Sequence, residues 1–229
     1  MSNLRLAVIP AAGRAVRLNG LPKFLLPIES YGSLLAYHLR MASEYADQII
    51  VGTRPEFSSL ILDLCKDFKA KVCVMETKTL TETVCEIARG LNPQTLTVHL
   101  PDTYVGPENI YSKLEKISSS NEKSAMAIWR SLESQRGLLG QVETEDSENL
   151  SRVTRIVDKD PNFFTGYHWG SISFYNPNVE QWDRSEVTIG NVVSKLIADG
   201  EKFLSLKSDA EYFDLGTVGS LRDFYSREN

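Results

Sequence analysis

The sequence predicts an α/β fold with a mostly parallel sheet. Three observations predict it: apolar runs alternate with segments of helical periodicity, the polar breaks between them are short, and no repeat or low-complexity segment interrupts the pattern. The 229 residues, 42% hydrophobic and 24% charged, match an ordinary globular chain and favour a single domain. Right-handed crossovers through helices make parallel strands the expectation for the first half.

The elements of the first half follow one another as strand and helix. The opening strand is predicted at residues 6–9, and a helix follows because Leu34, Leu35, His38, Leu39 and Ala42 share one helical face. A β-branched strand at 48–51, ending at Gly52, completes the first βαβ unit. The further elements are a helix over 60–68, a strand over 71–75, a helix over 84–88 and a strand over 95–100.

Beyond about residue 124 the pattern changes. Strands are predicted at 125–129, 140–143, 153–157 and 171–174, joined by turns more than by helices. A helix over 187–198 stops at Gly200, a strand follows over 202–206, and a last helix begins after Gly216. We expect this half to extend the sheet and to cover a pocket.

Charge and hydropathy narrow the function classes. A formal net charge of -5 argues against a broad nucleic-acid surface but allows a local basic pocket for a small anion. No apolar run approaches the roughly 18 residues that span a bilayer, and the first residues lack a signal-peptide pattern. We therefore expect a cytoplasmic protein with no nucleic-acid or membrane partner. The three cysteines show no metal-ligand spacing and are expected to be reduced thiols.

The segment over residues 11–28 carries the strongest chemical signal. It follows the first strand, where small residues let backbone N–H groups approach a phosphate and two cations, Arg17 and Lys23, can balance its charge. We predict that these two cations are catalytic. The predicted nucleotide-binding residues of the turn are Ala11, Ala12, Gly13 and Arg14.

Two aspartates are the predicted metal ligands. Asp102 follows the strand over 95–100 and should lie at the carboxyl edge of the sheet, where open α/β folds bind ligands. Asp214 ends a short strand, and Thr217 is a plausible N-cap of the last helix. A carboxylate facing phosphates is favourable only with a divalent cation between them, and Mg²⁺ takes one or two carboxylates. Mg²⁺ is therefore the predicted cofactor.

These motifs, in this order, resemble the sugar-phosphate nucleotidyltransferases. AAGRAVRL with PKFLLPI is similar to the opening AGGxGTRL…PK of that family, PD to its metal-binding aspartate, and FDLGTVGSL to its closing WxDxGTPexL. The resemblance implies a three-layer, Rossmann-like fold with a mixed, mostly parallel central sheet and a smaller sheet extension at the sugar pocket. It also implies one domain over 1–229, with a nucleotide-binding half at about 1–123 and a sugar-phosphate-binding half at about 124–229.

The resemblance further implies the reaction and its partners. A sugar 1-phosphate would attack the α-phosphorus of a nucleoside triphosphate and release pyrophosphate. RIVDKDP resembles the family's VEKP, which implies that Lys159 binds the sugar phosphate and Asp158 the sugar; Gly140 and Gly170 would line the sugar pocket. Thr81 stands in a segment that lacks the family's usual base-contacting residues and is our candidate contact to the nucleotide.

Departures from the family pattern keep alternatives open. Ala12, Ala15 and Val16 replace Gly, Gly and Thr, so a non-catalytic nucleotide-binding subunit with a degenerate phosphate loop is one alternative. A cytidylyltransferase acting on another phosphorylated alcohol is a second, since related enzymes also read AAG. A glycosyltransferase could use the DxD spelling of residues 158–160, whereas an oxidoreductase would want a GxGxxG that is missing here. The sequence leaves a homo-oligomer open.

Overall fold

A computed structural model describes residues 3–13, 22–145 and 150–227. The strands are β1 Arg5–Ala11, β2 Gln48–Thr53, β3 Lys71–Val74, β4 Thr95–Val98, β5 Thr103–Tyr104, β6 Ser124–Arg130, β7 Gln141–Glu145, β8 Ser151–Val157, β9 Tyr167–Tyr175, β10 Phe203–Lys207 and β11 Phe213–Asp214. The α-helices are α1 Leu34–Ser43, α2 Ser58–Lys66, α3 Leu80–Ala88, α4 Ile110–Asn121, α5 Ile189–Ala198 and α6 Val218–Tyr225.

The first half forms the parallel sheet that the sequence predicts. The strand order is β3-β2-β1-β4, and all of these neighbours run parallel. In the register, Ile9 lies opposite Val51 and Val8 opposite Val98. The carboxyl ends of β1 and β4 therefore lie side by side, and the loops that follow them meet at one edge of the sheet.

Both faces of this sheet are buried. Strand residues alternate in direction, and helices pack against each of the two faces. Ala7 and Ile9 pack into a cluster with α1, α2 and α4, whereas Leu6 and Val8 pack on the other face with α3 and α5. Strands buried on both faces read as nearly continuous apolar runs, which is why β1 was predictable.

The expectation of a mostly parallel sheet is not confirmed for the second half. β9 runs antiparallel to both β4 and β6, and β8 antiparallel to both β7 and β10; only β6 and β10 are parallel. The segment between β7 and β8 is shorter than the roughly dozen residues that a parallel crossover needs, so this consecutive pair is antiparallel. Gln141 of β7 also pairs with His168 of β9, and strands β9, β6, β10, β8 and β7 thereby close on themselves.

Helix α4 was not predicted, and of the strand pair β5–β11 only the strand that ends at Asp214 was predicted. Helix α4 begins at the N-cap Asn109, whose side chain accepts a hydrogen bond from the Ser112 amide. Its run of serines and its polar exposed face hide it from periodicity. The pair β5–β11 forms a separate two-stranded sheet. Among the helices in the described ranges, none combines the length and apolar character needed to cross a membrane.

Candidate active site

The turn after β1 lies at the edge of a cavity. Ala11 and Ala12 are buried, while Gly13 is exposed, and no atom of the described residues lies within 4 Å of the position that a side chain would take there. The turn therefore offers backbone close to the cavity without side-chain bulk. Arg14 and Arg17, predicted for nucleotide binding and catalysis, lie outside the described residues.

Lys23 and Asp102 meet across the carboxyl edge of the sheet. Lys23 begins a short 3-10 turn, Lys23–Leu25, and Asp102 follows β4. The Lys23 Nζ lies 2.7 Å from Asp102 Oδ2, and the two side chains are 11% and 30% exposed. Because both groups are largely removed from water, each holds the orientation of the other.

Asp214 lies directly beside this ion pair. Its strand β11 pairs antiparallel with β5, which places Asp214 opposite Thr103, and the Leu215 amide donates a 2.8 Å hydrogen bond to the carbonyl of Asp102. The structure thus brings the two aspartates together although they are distant in the chain. Their roles as metal ligands stay predictions.

Gly216 fixes the Asp214 carboxylate. The Gly216 amide donates a 2.9 Å hydrogen bond to Asp214 Oδ1. A Cβ at Gly216 would lie 2.6 Å from Asp214 Oδ1 and 3.4 Å from Lys23 Nζ, so carboxylate and ammonium flank the same point. Only a residue without a side chain leaves this space to them.

The cavity that holds Lys23 and Asp102 has a volume of about 620 Å³. This is within the usual size of a pocket for a small organic ligand, ~300–1,000 Å³. Its lining comprises the turn after β1, the Lys23 turn, the Pro101-Asp102 turn, the start of α3 and one residue before α5: Pro10, Ala11, Ala12, Gly13, Pro22, Lys23, Phe24, Thr77, Lys78, Thr79, Leu80, Thr83, Pro101, Asp102 and Val187.

The structure does not place Thr81 at this cavity. Thr81 is fully buried, and its neighbours Leu80 and Thr83 line the cavity instead, because positions three apart share a helical face and Thr81 lies off it. The N-cap Thr79, whose side chain accepts from the Glu82 amide, also lines the cavity. A threonine directly before the helix is the sequence signal for this helix start. The free backbone N–H groups at such a start can bind an anion.

Aromatic rings cover the two glycines of the predicted sugar pocket. A Cβ at Gly140 would lie 2.3 Å from Trp169 Nε1 and 2.6 Å from Asp158 Oδ1. A Cβ at Gly170 would lie 2.2 Å from Tyr212 Cε2 and 2.8 Å from Trp129. Both positions require glycine because these rings occupy the space that a side chain would take.

Three charged residues follow β8, and the last two, Lys159 and Asp160, differ in their surroundings. Lys159 is exposed and has a left-handed backbone with a φ of 55°, a conformation that costs a non-glycine residue energy and often marks functional turns. Asp160 Oδ1 accepts a 2.8 Å hydrogen bond from the Asn162 amide and so stabilises a turn. This turn role weakens the DxD alternative.

Tyr212 connects the two halves of the site electrostatically. Removal from water and the negative charges of Asp214, Asp102 and Asp158 raise the pKa of its phenol. A cation bound near these carboxylates would reduce the negative charge that acts on the phenol.

Two histidines lie behind Asp102. His99 accepts or donates a 2.7 Å hydrogen bond at Nε2 with the Tyr45 hydroxyl and stacks on Tyr111. Removal from water lowers the pKa of His38 to about 3 and that of His99 well below its ordinary value, so both are neutral at pH 7. Both are fully buried, and neither is among the residues that line the cavity.

The donor chemistry at Asp102 and Asp214 fits Mg²⁺. Both offer hard carboxylate oxygens, and one or two of these are what Mg²⁺ takes from a protein before water and phosphate complete its shell. Within the described ranges, no group of three or more His, Cys, Asp or Glu side chains is arranged to hold a metal, so these residues form no closed site of the zinc type.

No family model matches the sequence, and no curated protein matches it either. Solved structures do. A UDP-glucose pyrophosphorylase complexed with UDP-glucose superposes with a TM-score of 0.79 at 14% identity, over 99% of this chain and 100% of that chain. The chain has the fold of sugar-phosphate nucleotidyltransferases. A putative glucose-1-phosphate thymidylyltransferase from Bacillus anthracis, in complex with a sucrose, gives a TM-score of 0.79 at 15% identity, covering 97% of this chain and 94% of that one.

A third nucleotidyltransferase structure agrees. The inositol-1-phosphate CTP transferase from T. maritima has a TM-score of 0.72 at 14% identity, over 98% of this chain and 95% of that chain. The resemblance to nucleotidyltransferases inferred from the motifs is therefore confirmed for the fold.

Proposed function

We propose that this protein is a nucleotidyltransferase that joins a nucleoside monophosphate, taken from a nucleoside triphosphate, to a phosphorylated acceptor of the sugar 1-phosphate type. The observation that carries the proposal is the convergence of Lys23, Asp102 and Asp214 beside one cavity at the carboxyl edge of the parallel strands. The fold of the solved neighbours supports the same reaction class.

The reaction is an in-line displacement. An oxygen of the acceptor phosphate forms a bond to the α-phosphorus, the bond between the α-phosphorus and the bridging oxygen to the β-phosphate breaks, and pyrophosphate leaves with the electron pair. The attacking oxygen is already anionic, so no general base is needed. The protein must supply positioning and charge compensation.

The charge compensation is substantial. Each pair of like unit charges at ~4 Å costs about 4 kcal/mol at an effective dielectric constant of ~20. We assign Lys23 to the phosphates of the nucleotide, Arg17 to the leaving pyrophosphate, and the backbone of Ala11, Ala12 and Gly13, with Arg14, to the nucleotide. Lys23 is already oriented towards the cavity by Asp102, which limits the reorganisation that substrate binding requires.

Asp102 and Asp214 are the residues that would hold Mg²⁺. When bound there, the ion would neutralise charge on the phosphates and on the two carboxylates. Asp214 is oriented for this by the Gly216 amide, and Asp102 by Lys23. Lys159 is assigned to the incoming acceptor phosphate and Asp158 to its alcohol part, so residues 124–229 would form the acceptor half and residues 1–123 the nucleotide half.

The test is a matrix of nucleoside triphosphates against phosphorylated acceptors with Mg²⁺, measured by pyrophosphate release. Acceptor-dependent release in one combination supports the enzyme. Saturable nucleotide binding without release in any combination would instead support the non-catalytic subunit.

A further inference from the structure

The ammonium group of Lys23 compensates the charge of Asp102. Its Nζ lies 2.7 Å from Asp102 Oδ2, and the lysine and aspartate side chains are 11% and 30% exposed. Opposite charges at this distance, with little water around them, attract each other strongly, and the charge-assisted hydrogen bond fixes their geometry. The protein therefore supplies its own cation at one of the two carboxylates assigned to the metal.

The same ammonium also lies near the second carboxylate. A Cβ at Gly216 would lie 2.6 Å from Asp214 Oδ1 and 3.4 Å from Lys23 Nζ, so the two groups flank one point. The Leu215 amide donates a 2.8 Å hydrogen bond to the Asp102 carbonyl and keeps the two aspartate segments together. One positive charge thus acts on both aspartates.

A divalent cation that binds these aspartates by itself meets two obstacles. It competes with the ammonium for Asp102 Oδ2, and its charge is repelled by that ammonium at short range. Mg²⁺ gives up its water reluctantly, and proteins usually bind it through one or two carboxylates together with phosphate oxygens of the substrate. Two carboxylates that already share a lysine are therefore a poor site for the ion alone.

The phosphates of a nucleotide would change this balance. A lysine ammonium has three N–H donors on a flexible stem, so Lys23 can pass from the carboxylate to a phosphate oxygen within the cavity that both residues line. The phosphates also add negative charge at this place, which offsets the repulsion between the ammonium and the divalent ion. Nucleotide and metal should then favour the binding of each other.

We propose that Lys23 is the resident cation of Asp102 and keeps divalent ions off Asp102 and Asp214 until nucleotide phosphates accept its ammonium. The inference rests on the proposed function and concerns the regulation of the same site. It makes Lys23 the source of the coupling between metal and nucleotide, in addition to its contact with the phosphates.

The experiment measures the dissociation constant of Mn²⁺, a paramagnetic substitute for Mg²⁺, by electron paramagnetic resonance without nucleotide. Lys23→Met removes the charge but keeps a side chain of similar length, and it should lower this constant by about tenfold or more. Lys23→Arg keeps the charge and should bind Mn²⁺ as weakly as the natural sequence. Asp102→Asn, added to Lys23→Met, should abolish the gain, because the ion then loses the carboxylate that Lys23 had covered.

Lys78→Met is the matched control. Lys78 lines the same cavity and is exposed, whereas the Lys23 ammonium contacts Asp102. The control removes the same charge from the same cavity, and its Mn²⁺ constant should equal that of the natural sequence. A largely buried carboxylate without its partner is destabilising, so circular dichroism checks that Lys23→Met is folded. If it is not, Lys23→Gln gives the same test, since its neutral amide can still donate to Asp102.

The outcomes separate the two proposals. Equal Mn²⁺ constants for the natural sequence and the folded neutral Lys23 variant, or an equal gain in Lys78→Met, overturn the inference and leave the nucleotidyltransferase intact. Tight binding of Mn²⁺ alone by the natural sequence, lost in Asp102→Asn, overturns it as well. Absence of pyrophosphate release with every triphosphate and acceptor overturns the proposed function, and the Mn²⁺ constants show separately whether Lys23 excludes the ion.

Discussion

Replacement of Gly216 by alanine should separate activity from stability. The new Cβ would lie 2.6 Å from Asp214 Oδ1 and 3.4 Å from Lys23 Nζ, so the carboxylate would have to turn away from the position in which the Gly216 amide holds it. Loss of its hydrogen bond from the Gly216 amide costs about 0.5–1.5 kcal/mol. A smaller unfolded-state entropy returns about 0.4–1 kcal/mol, since the Gly216 backbone does not have positive φ. The free energy of unfolding should therefore change by less than about 1 kcal/mol.

Activity should respond far more strongly. A carboxylate displaced by roughly 1 Å loses about 10²-fold in rate where it positions reacting groups. The assay is pyrophosphate release under saturating Mg²⁺, paired with urea unfolding. Gly219→Ala is the control, because a Cβ there meets, among the described residues, only Thr217 Oγ1 at 3.8 Å and lies inside α6, where alanine is the better helix former. If Gly216→Ala retained turnover within about threefold of Gly219→Ala, the orientation of Asp214 would not be part of the mechanism.

Three further predictions concern charge, metal and pH. Lys23→Ala should lower turnover by about 10²-fold or more, whereas Lys71→Ala on the exposed end of β3 should not. Steady-state kinetics of both variants measure this, and equal rates would show that Lys23 does not take part in catalysis. Chelation of Mg²⁺ should abolish pyrophosphate release and its re-addition should restore it, while persistence of full activity in chelator would exclude the metal assignment. Removal from water lowers the pKa of His168 from 6.5 to about 4, so the unfolded chain binds a proton there that the native state does not. As far as His168 is concerned, the free energy of unfolding is highest above pH 6.5 and falls as the pH drops towards 4, by up to about 1.4 kcal/mol per pH unit per proton. Equilibrium unfolding of the natural sequence and of His168→Gln should therefore show a shallower acid decline in the variant.

Much of the fold was predictable because its first half follows strong local rules. Residues in β1 alternate between two buried faces, so the whole run is apolar, and the helices between strands β1 to β4 show clear periodicity. The pairing of β9 between β4 and β6 was not predictable, since it joins strands that are distant in the chain and leaves no mark on the local pattern.

The proximity of Asp102 and Asp214 could be inferred from motif order, but its cause could not. The two residues are adjacent because β5 and β11, each only two residues long, pair with each other. Strands of this length carry no periodicity to recognise. The burial of Thr81 and the ring of Trp169 against Gly140 likewise depend on helix rotation and on tertiary packing, which the sequence does not reveal one position at a time.

The central claim is that Asp102 and Asp214 act as one unit beside Lys23, and a double-mutant cycle tests it most directly. The kcat of pyrophosphate release is measured for Asp102→Asn, Asp214→Asn and the double variant. If the two carboxylates hold one ion, each single change should cost about 10²-fold or more and the double change little beyond the larger of them. Multiplication of the two single effects would show independent roles and contradict the shared site.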